Sequence, residues 1–129
     1  MGTGTGIGRV RGLGSAKSGA HHWWHQRVTA AGNIILVLWF VTSLLRLPSF
    51  EYDVVVEWLS SPIAAVPMAL LVLSVFYHFR LGLQVFIEDY VHDAGPKVLA
   101  LILLNFYVIG GGALALFSIL KIALGGAAA

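Results

Sequence analysis

In the stretch YHFRLGLQVFIEDYVHD, positions 77–93, His78, Gly82, Val85 and Asp89 stand at i, i+4, i+7 and i+11 and so share one stripe of a helix. The stretch continues MALLVLSVF at 68–76, an apolar run suited to lipid. If the helix leaves the hydrocarbon near Asp89, His78 lies ~16 Å back at ~1.5 Å per residue, close to mid-bilayer. An ionisable side chain at that depth faces protein or a cavity and marks a candidate site. A neutral imidazole in a helical bundle without thiolates is a natural axial ligand for haem iron, and Gly82 removes a side chain where a flat macrocycle would lie against the backbone. Two other readings stay open. His78 and Asp89 form a proton relay, although their ~16 Å separation needs intervening groups that the sequence does not supply; or His78 is structural, bonded to a carbonyl or hydroxyl of a neighbouring helix.

Glu88, Asp89 and Tyr90 close the helix where it meets water. A tyrosine there belongs to the aromatic belt of a membrane interface. It is also a phenol able to donate a hydrogen bond to a ligand carbonyl, beside a carboxylate that holds or organises a proton. Such a set suits quinone reduction, which needs a donor for each developing oxyanion and a proton route from the aqueous side. Arg80, two residues from His78, lies on roughly the opposite side of the helix and serves another surface, by snorkelling or by pairing with another polypeptide. Arg27, at the entrance of an earlier apolar run, suits either lipid phosphate or haem propionates. His21, His22 and His25 have neither cysteine nor carboxylate beside them and read as interfacial solvation rather than a metal cluster. Because His25 precedes that run, the second axial histidine of a six-coordinate haem is expected from another chain.

The elements that must position these residues follow from composition. Of 129 residues, 58% are hydrophobic and 11% charged, against about 25% charged in an ordinary soluble domain, so the chain belongs in a membrane. Apolar runs at 28–47, 63–89 and 98–120 match the ~20 residues that span a hydrocarbon layer. The expected fold is therefore all-α, with three transmembrane helices forming one domain over 21–124. The segment at 48–62 gathers Glu51, Asp53, Glu57, Tyr52 and Trp58 and reads as an interfacial loop or short surface helix. Residues 1–20, rich in glycine with Arg9, Arg11 and Lys17 and no acid, read as a flexible tail, and 125–129 as another. Gly95 and Pro96 punctuate the chain before the third span. Gly110, Gly111, Gly112 and Ala113 thin that span and permit close approach by a neighbouring helix.

Lys and Arg outside the spans fall mainly before the first and after the second, which puts the N-terminus and the 90–97 loop in the cytoplasm. The absence of cysteine excludes disulfides and thiolate-held clusters within this chain. Scattered basic residues and a net charge of +2 give no support to nucleic-acid binding. The N-terminal glycines fit neither phosphate-loop pattern, Gly6 stands where myristoylation wants Ser or Thr, and no signal or transit peptide is evident.

The pattern His78-x3-Gly82-x-Gln84-Val85-x3-Asp89-Tyr90-Val91-His92, with HHWWHQRVTA at 21–30 before an uninterrupted span, resembles the small hydrophobic membrane-anchor subunits of succinate dehydrogenase, respiratory complex II. The resemblance covers 21–124. It implies one of two cytochrome b-type anchors holding haem b between them and reducing ubiquinone near the cytoplasmic or matrix surface. A flavoprotein with FAD oxidises succinate, and an iron–sulfur subunit carries the electrons. By position, His78 corresponds to the haem axial ligand, Arg27 to an arginine near the propionates, Tyr90 to the tyrosine that bonds a quinone carbonyl and Asp89 to its neighbouring acid. The implied location is the bacterial cytoplasmic membrane, in contact with lipid, rather than the mitochondrial inner membrane. A fumarate reductase anchor, or a haem-free structural or proton-conducting subunit, is the alternative. Arg80 and the glycine-rich tail have no place in the pattern.

Overall fold

The computed structural model describes residues 5, 6 and 19–125. Its elements are α1 (Gly19–Leu45), α2 (Tyr52–Ser60), α3 (Pro62–Tyr90) and α4 (Ala94–Gly125), and among the described residues there is no strand. This is the expected all-α architecture, with three helices long and apolar enough to cross a bilayer. They contain 27, 29 and 32 residues. At ~1.5 Å per residue they run ~40–48 Å, longer than a ~30 Å hydrocarbon layer, so each extends past the span read from the sequence. α1 begins nine residues before position 28, which makes His21, His22, His25 and Arg27 part of one continuous helix. The tails expected at 1–20 and 125–129 lie outside the described residues except at 5, 6, 19, 20 and 125, the last three of which belong to α1 and α4.

The helices stand in a row. α3 is central and packs against α1 on one side and α4 on the other, while among the described residues α1 and α4 do not meet. The antiparallel register of α1 on α3 is set by small or polar residues: Gly82 stands against Gln26, Thr29 against His78, and Gly32 against Ser74. On the other side, Phe76 of α3 seats its ring over Gly111 and Gly112 of α4, the close approach that the glycine run allows. Tyr107 flanks that ring, its centroid 6.2 Å away. The seam continues to Lys97, whose Nζ donates to the carbonyl of Glu88 at 3.1 Å.

Local chemistry accounts for the helix ends. Pro62 opens α3, where a missing N–H is harmless, and the carbonyl of Ser61 accepts the amides of Ala64 and Ala65 at 3.0 and 2.8 Å. Pro96 falls in the first turn of α4 for the same reason. α2 is amphipathic and buries Val56 and Leu59. Leu59 clusters with Ala65 of α3 and Ile119 of α4, and Trp58 stacks on Trp39 of α1 at 6.1 Å. α2 thus ties the Leu45 end of the row together while Glu51, Asp53 and Glu57 stay exposed, as a short surface helix should.

Arg80 finds its partner inside the chain. Its Nε donates to Oδ1 of Asn105 at 2.7 Å, and Asn105 in turn donates from Nδ2 to the carbonyl of Leu101 at 2.7 Å. The snorkelling or intersubunit pair expected from the sequence is replaced by a bond across the α3–α4 seam. Asn105→Leu is expected to leave a half-buried guanidinium without its acceptor, at a cost of about 1–3 kcal/mol. A lowered melting temperature of the solubilised protein is the readout, and an unchanged one would show the bond to be dispensable.

Candidate functional site

The polar residues of α1 and α3 converge on a cavity of about 790 Å³ at the end of the bundle carrying Gly19 and Tyr90. α1 contributes Gly19, His22, Trp23, Gln26, Arg27 and Ala30, one face at three- and four-residue spacing. α3 contributes His78, Gly82, Gln84, Val85 and Glu88. The space exists because small residues stand where bulk would close it. A Cβ built on Gly82 would lie 3.4 Å from Nε2 of Gln26, so a larger side chain there would fill the gap between the helices.

His78 is half-buried, and its Nδ1 lies 3.0 Å from the hydroxyl of Thr29 on α1. The structural reading of this histidine is therefore realised through one ring nitrogen. Nε2 has no hydrogen-bond partner among the described residues and retains the capacity to take a ligand. Two further cavity-lining polar atoms, Nε2 of His22 and Oε1 of Gln26, are buried without a partner among the described residues. Buried polar groups are ordinarily satisfied, so these point to something that occupies the space. Arg27 lies over the Trp23 ring at 5.4 Å. Among the described residues no carboxylate pairs with it, and its guanidinium remains available to an anion.

The donor set suits haem: an imidazole with one free nitrogen, a glycine-lined wall and an arginine, without thiolates. Three sequence-derived candidates, His78, Gly82 and Arg27, are brought together in this cavity. Asp89 and Tyr90 are not. Both are exposed beyond the cavity, Tyr90 stacking on Phe86 at 4.7 Å, while Glu88 rather than Asp89 lines the wall and accepts a hydrogen bond from Gln84 at 2.9 Å. Among the described residues no three histidine or carboxylate side chains gather as a metal cluster. His25 instead sets its ring edge-on to Tyr77 at 6.0 Å, close in level to His78 rather than remote from it.

Sequence reasoning missed Thr29, Gln26 and His22 as cavity neighbours. Their signal was the spacing in HHWWHQRVTA, which repeats a polar or small residue every three to four positions once the helix is known to start at Gly19.

Comparison with known proteins identifies the family. The family model for the succinate dehydrogenase/fumarate reductase transmembrane subunit matches residues 1–119. The succinate dehydrogenase hydrophobic membrane anchor subunit of Rickettsia bellii is 38% identical over 85 residues, 66% of this chain and 68% of that protein. The corresponding subunit of Rickettsia conorii is 35% identical over 86 residues, 66% of this chain and 68% of its own length. That of Paracoccus denitrificans is 30% identical over 119 residues, 90% of this chain and 89% of its own. No solved structure matches significantly. The chain belongs to the succinate dehydrogenase/fumarate reductase transmembrane subunit family, among its membrane anchors.

Proposed function

We propose that this chain is one of two anchors in a succinate:ubiquinone oxidoreductase, that it binds haem b jointly with the second anchor, and that it contributes to the ubiquinone reduction site. The observation that carries the reading is the convergence of His78, with a free Nε2, on Gly82 and Arg27 in one cavity between α1 and α3. Haem, when bound, supplies one-electron transfer. His78 would hold it from this side, Gly82 would leave room for it, and Arg27 would meet its anionic edge. A second ligand would come from the partner anchor. Succinate oxidation belongs to a flavoprotein subunit with FAD, and an iron–sulfur subunit delivers the electrons. The complex sits in the bacterial cytoplasmic membrane with the N-terminus inside, as the distribution of Lys and Arg supports.

Tyr90 and Asp89 stand outside the haem cavity and open to a neighbour, which suits a quinone pocket closed by another subunit. Tyr90 donates to a quinone carbonyl, and Asp89 keeps a proton beside it. Tyr90→Phe is expected to leave the haem spectrum unchanged while lowering quinone reductase turnover at least about tenfold, the cost of one lost donor to a developing oxyanion. Unimpaired turnover removes Tyr90 from the site.

The complex purified from membranes with its flavin and iron–sulfur subunits should give a b-type spectrum on dithionite reduction. A complete complex without that signal favours the haem-free subunit instead. A proton wire from His78 to Asp89 gains no support from Asp89, which is exposed and not among the cavity-lining residues. The bound quinone species, rather than this chain, distinguishes succinate oxidation from fumarate reduction.

A further inference from the structure

Three contacts of one oxygen decide the protonation of the His78 ring. Oγ1 of Thr29 lies 2.8 Å from the carbonyl of His25, 3.2 Å from that of Gln26 and 3.0 Å from Nδ1 of His78. A hydroxyl has a single hydrogen. Two oxygens 2.8 Å apart call for a hydrogen between them, and this shortest of the three contacts directs it to the His25 carbonyl, one helical turn back. Oγ1 is then only an acceptor toward the ring, and Nδ1 must carry the N–H. In the neutral ring this leaves the lone pair on Nε2, the tautomer that binds a metal. The opposite assignment would put the proton on Nε2 and close the ring to iron.

We propose that Thr29 is the positioning residue of His78, fixing both the tilt of the imidazole and the tautomer whose Nε2 serves as ligand. The inference rests on the haem reading of the cavity and assigns that site a residue on the helix opposite the ligand. It also accounts for a hydroxyl in an otherwise apolar stretch: Val28, Ala30 and Ala31 flank it. The backbone of α1 acts through it, because the His25 carbonyl orients the hydroxyl that orients the ring. An acceptor on Nδ1–H raises the basicity of the ligating nitrogen, as outer partners of metal-bound histidines do.

The test uses the assembled complex with its partner subunits, carrying Thr29→Val, Thr29→Ala or Thr29→Ser. Haem per flavin is measured under limiting haem supply, together with the low-spin ferric EPR signal and the haem midpoint potential. Val and Ala are expected to weaken haem retention about 10- to 100-fold, to shift the EPR g-values of residual haem and to raise its potential. Ser, which restores the hydroxyl, should return all three toward the wild type. If Val prevents assembly, the Ser and Ala pair carries the test, since they differ by the oxygen alone. Equal haem content, g-values and potential in Ser and Ala complexes would overturn the role of Thr29 while leaving His78 as ligand. A wild-type complex without haem would overturn the reading of the cavity, and the role of Thr29 with it.

Discussion

Complexes carrying His78→Ala are expected to lose their b-type spectrum while still co-purifying with flavin. The substitution removes the imidazole from the cavity lining and leaves Gly82 and the α1 face in place. Its structural cost is modest: the Thr29 hydroxyl loses one partner but keeps the His25 carbonyl, a loss of about 1 kcal/mol. Its effect on haem is large, because loss of an axial ligand exceeds the 10- to 100-fold weakening that follows from disturbing a mere outer partner. Haem per flavin should therefore fall below about a tenth of the wild-type value. A reduced spectrum that persists with its axial ligation unchanged would remove His78 from the iron.

Gly111→Leu should be the most damaging change on the opposite side of α3. A Cβ at this position would meet Cε1 and Cζ of Phe76 at 3.0 and 3.3 Å, while Gly112 and Tyr107 border the same ring. A leucine there requires the Phe76 ring to give way or α3 and α4 to separate. Overpacking of this kind costs about 1–3 kcal/mol in a soluble core. It matters at least as much between membrane helices, where close packing rather than exclusion of water holds the seam. Gly110 provides the control, since among the described residues nothing lies within 4 Å of the point a Cβ would occupy there. Gly110→Leu should change thermal stability by less than about 0.5 kcal/mol, whereas Gly111→Leu should lower the melting temperature of the complex markedly. Equal behaviour of the two would show that the Phe76 contact does not set the seam.

The fold was largely legible because a bilayer leaves an apolar run of ~20 residues little choice but a helix. The runs at 28–47, 63–89 and 98–120 accordingly lie within α1, α3 and α4, apart from two residues past Leu45. What lay between helices was harder to read. Asn105 carries no local sign of Arg80, 25 residues away, because that contact depends on the register of two helices rather than on either sequence. Thr29 in RVTAAG passes for an ordinary small residue until the pairing of α1 with α3 sets it beside His78. Periodicity placed His78, Gly82 and Asp89 in one direction, but it could not tell that the cavity wall ends at Glu88 and leaves Asp89 outside.

His78 and Arg80 look to opposite neighbours from the same turn of α3, and among the described residues the backbones of α1 and α4 do not approach each other. Apart from the small cluster that α2 closes at the Leu45 end, a protein one helix thick is a fence whose flanks face outward. The polar cavity therefore lies on one flank of α3 and the glycine seam on the other, with α3 the only helix between them.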